Sequence, residues 1–153
     1  MNFIDGVEVR DLRFLPDERG WLIELLRSDW EVYQKFGQAY ATACYPGVIK
    51  AWHYHKIQTD HFTCIAGMAK LALYDARENS PTKGMINEFY LGKFNPILVK
   101  IPNNVYHGFM AVGNETVTIV NFPTELYNYA SPDEYRVAYN DPSIPYSWEI
   151  KQG

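Results

Sequence analysis

Short runs of hydrophobic and β-favouring residues alternate with turn signals along most of this chain. The turn signals, among them residues 16–20 and Pro46-Gly47, recur about every eight to twelve residues, which is the spacing of an antiparallel sandwich or barrel. We therefore predict an all-β fold in a single domain over residues 1–153. Strands are predicted at residues 7–15, 21–26, 38–44, 48–55, 61–65, 68–74, 86–91, 98–101, 107–112 and 116–122.

Local residue types also predict the main connections. Ala66-Gly67 would join the strands at 61–65 and 68–74 as a hairpin. Residues 29–36 are expected to form a short helical or irregular stretch. From Tyr127 onward the chain is rich in Tyr, Pro and Asp, which predicts loops and a short helix wrapping the barrel.

The composition excludes several classes of function. The 153-residue chain has a net charge of −4 and its Lys and Arg form no run, so nucleic acid is not an expected partner. Its two cysteines are too few for a disulfide framework, the first residues show no signal peptide, and no apolar stretch approaches a membrane span. We expect a cytoplasmic protein with no membrane partner.

Aromatic residues make up 16% of the chain, with twelve Tyr and four Trp. Most of them would fill a β-barrel core. Tyr and Trp also stack on sugars and bases and serve subunit interfaces. The surplus therefore suits a sugar ligand and a dimer.

The most informative motif is a pair of histidines two residues apart. It reads Gly47-x5-His53-x-His55-x4-Asp60-x6-Gly67, the layout of a small β-barrel active site with Asp in place of the usual Glu. Side chains two apart on a strand share a face, and a strand that closes into a barrel aims that face inward. Two imidazoles and a carboxylate could bind a metal or transfer protons there. The plainer interpretation is a solvated strand face.

Six landmarks lie in order along the chain, at residues 17–20, 47–55, 80–84 and 101–109, at Tyr129 with Glu134, and at residues 139–142 with Trp148. With these landmarks the chain is similar to a known family. It resembles the dTDP-4-dehydrorhamnose 3,5-epimerase family. The resemblance implies a cupin-type double-stranded β-helix, or jelly-roll barrel, usually dimeric, that acts on a nucleotide-linked 4-keto-6-deoxy sugar without a metal or coenzyme.

Such a reaction needs a base, an acid and support for an enolate. A base removes a proton beside the keto group, a cation or donor stabilises the enolate oxygen, and an acid returns a proton. His53 fits the base, because imidazole titrates near physiological pH and a carboxylate can orient it. The resemblance implies Asp141 as that carboxylate and Tyr129 as the acid. The alternatives are an Asx-type turn before Pro142, and Tyr127 in place of Tyr129.

Other residues are predicted to contact the substrate. His107, just inside a strand, would face the same cavity. Arg19, with Arg27 or Lys50 as alternatives, could contact the pyrophosphate, for which arginine is the better-shaped donor. Arg19 could instead form an ion pair with Asp17 or Glu18. The predicted substrate-binding set is Arg19, Lys50, His55, Asp60 and His107.

Three positions depart from the family pattern. Members usually carry Arg where Lys50 stands, Gln where His55 stands and Lys about where Asp60 stands. That Lys is the expected partner of the sugar's oxyanion, whereas a carboxylate would repel an enolate. Either Lys50 or a protonated His55 has taken over the electrostatic role, or the chemistry differs.

Two alternative functions follow from these departures, and a third is compatible with them. His53-Tyr-His55-Lys56 is locally similar to the dTDP-sugar 3,4-ketoisomerases, in which two histidines shuttle one proton. A metal-dependent cupin would use His53, His55, Asp60 and His107 as ligands of zinc, iron or manganese. A non-catalytic sugar-binding domain is the third alternative.

We predict a metal-free epimerase with no cofactor. A base such as His53 must keep one ring nitrogen for the substrate and the other for its carboxylate, so it cannot also hold a metal. The second cupin motif is also imperfect, because Asn104 stands where glycine is usual.

Overall fold

The computed structural model describes residues 2–152, so the predicted domain bounds at residues 1 and 153 fall just outside the described range. Within it, no helix has the length and hydropathy that a membrane span requires. The strands are β1 Glu8–Asp11, β2 Phe14–Asp17, β3 Gly20–Ile23, β4 Tyr40–Cys44, β5 Ile49–Tyr54, β6 Asp60–Ala66, β7 Met68–Asp75, β8 Ile86–Gly92, β9 Ile97–Ile101, β10 Val105–Ala111, β11 Val117–Asn121 and β12 Tyr135–Arg136.

Two five-stranded antiparallel sheets form the body of the protein. The first sheet has the order β1-β9-β6-β11-β4 and the second has the order β12-β5-β10-β7-β8. From β4 to β12 the chain changes sheet at nearly every connection, with β7 and β8 as the exception. This winding is the double-stranded β-helix, and the all-β prediction is confirmed.

The core lies between the inner faces of the two sheets. In β11 every second residue is buried, which places Val117 and Ile119 inside. Leu71 and Leu73 of β7 and Val99 of β9 join the same cluster with no exposed surface. Full burial of each such side chain contributes roughly 1.5–3 kcal/mol, so this packed core stabilises the barrel.

The C-terminal segment packs against the outside of the second sheet. Trp148 and Ile144 contact Trp52 of β5, and the two tryptophan rings lie 5.0 Å apart. Lys70 Nζ donates a hydrogen bond to the Trp148 carbonyl oxygen at 3.2 Å. The segment after Tyr127 contains loops and β12 but, up to residue 152, no helix. The predicted loops are therefore present, and the predicted helix is not.

The hairpin predicted at Ala66-Gly67 is wrong. β6 pairs with β9 and β11, whereas β7 pairs with β8 and β10, so this turn carries the chain from one sheet to the other. Gly67 has a φ of +71°, and a Cβ there would lie 3.0 Å from the Val117 side chain. The turn signal was correct. The pairing is determined by packing, since nearly all of β7 is buried on both faces.

Two further predictions, for residues 7–15 and residues 29–36, can be compared with the structure. The predicted strand at 7–15 is interrupted at Leu12, whose N–H donates to the Pro96 carbonyl oxygen at 2.9 Å and whose side chain is buried in a small separate cluster. Residues 29–36 are irregular, one of the two forms expected for them.

Strand register brings the histidines together. β5 and β10 pair antiparallel with His107 directly opposite His53, and the register shifts just after His107. Gly108 makes this close approach possible, because a Cβ there would lie 2.2 Å from the Ala51 Cβ. Asp60 is the first residue of β6 on the facing sheet. His53 and His107 therefore come from one wall of the barrel and Asp60 from the other.

Candidate active site

A cavity of about 980 Å³ opens between the two sheets. Strands of both sheets line it, and the loop between β11 and β12 forms its rim. The structure brings to this cavity the three histidines that the sequence predicted to meet there. Its polar and aromatic lining includes Tyr40, Thr42, Lys50, His53, His55, Gln58, His107, Tyr127, Tyr129, Asp133, Glu134 and Arg136.

Asp60 is 1% exposed and lies behind His55, Gln58 and His107, three side chains that line the cavity, and these four residues form its floor. Its Oδ1 accepts hydrogen bonds from Gln58 Nε2 at 2.8 Å and Asn121 Nδ2 at 2.9 Å. Its Oδ2 lies 3.2 Å from His55 Nε2 and 3.4 Å from His107 Nε2. These are ion-pair distances, but no donor in residues 2–152 meets Oδ2 in hydrogen-bond geometry. One oxygen of a fully buried carboxylate is therefore unsatisfied.

The other ring nitrogens of His55 and His107 face backbone carbonyls. His55 Nδ1 is hydrogen-bonded to the Asp133 carbonyl oxygen, and His107 Nδ1 to that of Val105 at 3.2 Å. Because a carbonyl can only accept, we assign a hydrogen to each Nδ1. In the neutral form of each ring, Nε2 then presents a lone pair toward Asp60.

Burial and charge shift the pKa values at this floor in different directions. Burial lowers the pKa of His107 to about 4, against the attraction of Asp60. Burial also acts to lower the pKa of His55, but contact with Asp60 and Asp133 outweighs it and raises that pKa. Burial would raise the pKa of Asp60, but His55, His107 and Asn121 lower it. At neutral pH the floor therefore carries a carboxylate beside a neutral His107.

His53 differs from the other histidines. It is half-buried in the cavity wall, and its ring makes no hydrogen bond with any described residue. Burial and the positive charge of Arg136 lower the pKa of His53, and they outweigh the opposite effect of Glu134. Arg136 lies opposite His53 in the pairing of β12 with β5. His61, in contrast, is fully buried, and its nitrogens face two carbonyl oxygens at 2.9 and 3.0 Å. Of the four histidines, His53 alone has both ring nitrogens uncommitted.

Lys50 and two tyrosines complete the predicted residues that reach the cavity. Lys50 Nζ donates to Thr42 Oγ1 at 2.9 Å within the wall. Tyr129 stands on the rim with 91% of its surface exposed, and the Tyr127 ring lies 5.0 Å from it. Both tyrosines line the cavity, so its geometry does not separate them as acids.

Arg19 and Asp141 are not brought to the cavity. Arg19 lies in the turn between β2 and β3, where it forms an ion pair with Asp17 and its side chain is 85% exposed. The Asp141 carboxylate accepts hydrogen bonds from the N–H and hydroxyl of Ser143. Each side chain is therefore bonded to a residue two positions away along the chain. These are the alternatives given above, an ion pair for Arg19 and an Asx-type turn for Asp141. The structure therefore does not place Asp141 as the carboxylate that orients His53.

The sequence analysis missed Asp133, which organises the floor. Its carboxylate accepts the N–H groups of Lys56, Ile57 and Gln58 at 2.8 to 3.0 Å, while its carbonyl oxygen receives His55. It thereby fixes the loop that links the histidine pair to Asp60. No local sequence pattern signals a contact across more than 70 residues.

Asn121 was also missed, although the sequence contains a signal for it. It follows Val117 and Ile119 on the buried face of β11, and an amide in that register needs a partner. That partner is Asp60.

Asn104 stands where the cupin pattern has glycine, and it adopts a backbone conformation that glycine favours. Its φ of 61° is left-handed, a conformation that Asn tolerates better than most residues. Its N–H donates to the His55 carbonyl oxygen at 2.6 Å. The departure from the pattern therefore preserves the position of His55.

Three side chains could hold a metal ion. Within residues 2–152, one ligand atom from each of His55, Asp60 and His107 lies within 4.8 Å of the others. His53, which the metal-cupin alternative included, is not in this group.

Together, the double-stranded β-helix, the uncommitted histidine and the buried carboxylate define a cupin-type enzyme barrel. The sequence model of the dTDP-4-dehydrorhamnose 3,5-epimerase family matches residues 2–152. The chain belongs to this family of isomerases, and the family resemblance is confirmed.

Individual relatives agree over nearly the whole chain. The "Probable low-salt glycan biosynthesis epimerase Agl13" of Haloferax volcanii is 46% identical over 150 residues, 97% of this chain and 96% of that protein. The spore coat polysaccharide biosynthesis protein SpsL of Bacillus subtilis is 44% identical over 148 residues, 97% and 98% of the two chains. A solved dTDP sugar isomerase from Desulfovibrio desulfuricans G20 is 32% identical with a TM-score of 0.89, covering 95% and 92%.

Proposed function

We propose that this protein is an epimerase of a nucleotide-linked 4-keto-6-deoxy sugar, with dTDP as the nucleotide. The observation that carries the proposal is the state of His53. It lines the cavity with both ring nitrogens free, whereas His55, His61 and His107 are committed to protein groups. A base must have a nitrogen within reach of the carbon acid, and His53 is the histidine that has neither nitrogen hydrogen-bonded nor turned toward Asp60.

In the proposed reaction His53 takes a proton from the carbon beside the keto group. The electron pair of that C–H bond moves to the carbonyl and forms an enolate. Tyr129 then delivers a proton to the opposite face of the same carbon, which inverts the centre and regenerates the ketone. Tyr127 is the alternative acid, because it lies on the same rim.

The cationic side chains of the cavity are proposed to meet the charged part of the substrate. Lys50 and Arg136 both line it. Arg136 replaces Arg19 in this role, because Arg19 lies outside the cavity lining. Planar guanidinium groups suit pyrophosphate oxygens, and the exposed rings of Tyr127 and Tyr129 offer faces on which a base or sugar can stack.

The test is deuterium wash-in from D2O into dTDP-4-keto-6-deoxyglucose, followed by NMR. His53→Asn should slow exchange by at least about a hundredfold, the lower range for loss of a general base. An unchanged thermal unfolding curve is the control for folding. Exchange at the wild-type rate in this variant would remove His53 from the role of base.

A second comparison tests the acid. Tyr129→Phe should retain exchange but lose the inverted product, because only reprotonation from the far face fails. Tyr90→Phe is the matched control, since Tyr90 is an exposed tyrosine on β8 outside the cavity lining. Equal loss of exchange and product in Tyr129→Phe would show that Tyr129 is not simply the acid.

The ketoisomerase alternative needs a second histidine with a nitrogen free for substrate. His55 does not offer one, because Nδ1 is bound to the Asp133 carbonyl oxygen and Nε2 faces Asp60. This commitment argues against a two-histidine proton shuttle.

The proposed enzyme works as a single-domain homodimer in the cytoplasm. Support for the dimer comes from the β2–β3 hairpin, which exposes Phe14, Trp21 and Leu22, an apolar surface that favours a partner. Support for a reducing compartment comes from Cys44 and Cys64, which are buried free thiols. Sedimentation of a monomer at micromolar concentration would rule out the dimer.

A further inference from the structure

We propose that His55, Asp60 and His107 form a binding site for one divalent transition-metal ion. The site lies at the floor of the cavity, directly beneath the wall that carries His53. It rests on the position of three ligand atoms, on one unsatisfied oxygen, and on the contacts that hold the three side chains in place.

The distances from Asp60 to the two histidines match those between neighbouring ligands of a metal ion. Metal–ligand bonds of about 2.0–2.1 Å in tetrahedral geometry separate neighbouring ligand atoms by about 3.3 Å. Asp60 Oδ2 lies 3.2 Å from His55 Nε2 and 3.4 Å from His107 Nε2. The three atoms all lie within 4.8 Å of one another.

The buried carboxylate has an oxygen that nothing in the described chain satisfies. Asp60 is 1% exposed, and its Oδ2 has no hydrogen-bond partner in residues 2–152. Its other oxygen is held by Gln58 and Asn121, so the carboxylate cannot simply turn to exchange the two. A buried carboxylate oxygen that accepts no hydrogen bond is costly, and a bound cation would remove that cost.

The histidines are held as metal ligands usually are. Ligating imidazoles donate their second ring N–H to a carbonyl or carboxylate, which fixes the tautomer and the ring. His55 Nδ1 does this with the Asp133 carbonyl oxygen and His107 Nδ1 with that of Val105. Both Nε2 lone pairs are left on the side of Asp60.

Two imidazoles and one carboxylate suit Zn²⁺, Fe²⁺, Co²⁺ or Mn²⁺ and leave at least one coordination position open. His53 is outside the set, so a metal here does not compete with a base. The sequence-based objection, that His53 cannot serve both roles, therefore does not apply to this site.

The consequence for catalysis rests on the proposed function. Asp60 places a carboxylate, the wrong sign for an enolate, at about the position where the family usually has Lys. A divalent cation held by Asp60 would reverse this sign and supply the positive charge that an enolate needs.

The test uses the full chain without an affinity tag, stripped with EDTA and titrated with Co²⁺ while its visible absorption is recorded. Wild type and His53→Asn should each bind one equivalent, and Zn²⁺ should displace it. Asp60→Asn and His55→Gln should each weaken binding at least tenfold. These two substitutions are close in size, and thermal unfolding confirms that each variant is folded.

Absence of stoichiometric cobalt binding in folded wild type would overturn the site, as would equal binding by Asp60→Asn or loss of binding in His53→Asn. The deuterium assay separates this outcome from failure of the epimerase. If the protein binds no cobalt but the stripped form still catalyses exchange, the metal-site proposal fails and the epimerase proposal stands. If the protein binds cobalt but neither the cobalt-loaded nor the stripped form catalyses exchange, the metal site stands and the epimerase proposal fails.

Discussion

Asp60 and Asp75 are both fully buried carboxylates, yet their surroundings differ in kind. Asp75, at the end of β7, accepts hydrogen bonds from the Arg77 guanidinium at 2.8 and 2.9 Å and from the hydroxyls of Ser80 and Thr82. Both of its oxygens are satisfied. Asp60 has one satisfied oxygen and one that faces two imidazole nitrogens.

The difference distinguishes a carboxylate that stabilises the fold, Asp75, from one that can bind a ligand, Asp60. Asp75 closes its own loop, with its partners supplied by residues two to seven positions later, and it lines no part of the central cavity. Asp60 is held by the nearby Gln58 and by Asn121 from a distant strand, and it contacts the two histidines that line that cavity. A buried charge that a fold needs for stability is fully paired, whereas a buried charge with an open side is available for a ligand.

The largest expected effect is on stability. Asp75→Asn should lower the free energy of unfolding by about 3 kcal/mol, because it removes the charge that pairs with the partly buried Arg77 guanidinium. Asp60→Asn should be neutral or stabilising in stripped protein at pH 8.5, because an amide N–H can donate to the Nε2 lone pairs of His55 and His107. Urea unfolding of both variants measures the difference, and an equal loss in the two would break the comparison.

The next effect concerns the residues that hold the two carboxylates. Asn121→Ala should weaken Co²⁺ binding about 10–100-fold, the usual effect of losing a group that orients a ligand. Ser80→Ala, its counterpart beside Asp75, should lower stability by about 1–3 kcal/mol and leave cobalt affinity unchanged. A Ser80→Ala variant that loses cobalt as strongly as Asn121→Ala would mean that the two regions are coupled.

Parts of both regions could be predicted from sequence, for physical reasons. Turn spacing predicted the strands, and the i, i+2 rule placed His53 and His55 toward one cavity. Features that depend on contacts between residues far apart in sequence were missed. These include the role of Asp133 and the grouping of His55, Asp60 and His107 without His53.

The family resemblance placed Asp141 and Arg19 at the substrate, but the structure satisfies both side chains within their own turns. Local hydrogen bonds of this type are readable from sequence as Asx turns and i, i+2 ion pairs. The hairpin error at Ala66-Gly67 has the opposite cause, because the sheet that each buried strand joins is determined by packing and not by the turn.

The smallest expected effect is on acid unfolding. Burial would raise the pKa of Asp75, but Arg77, Ser80 and Thr82 lower it. A lowered pKa contributes stability that is fully present above the unfolded value of about 3.9 and is lost as the pH falls toward the folded value. Asp75→Asn should therefore lose less stability than wild type between pH 4 and pH 2.5, as measured by urea unfolding across that range. Parallel losses would show that Asp75 does not titrate as described.

The most direct measurement of the Asp60 site is anomalous X-ray diffraction from crystals of the full chain soaked in Co²⁺ or Zn²⁺. The account predicts one strong peak about 2 Å from His55 Nε2, His107 Nε2 and Asp60 Oδ2, with the His53 ring outside the coordination sphere. A cavity without a peak at this position, or a peak that includes His53 as a ligand, would contradict it.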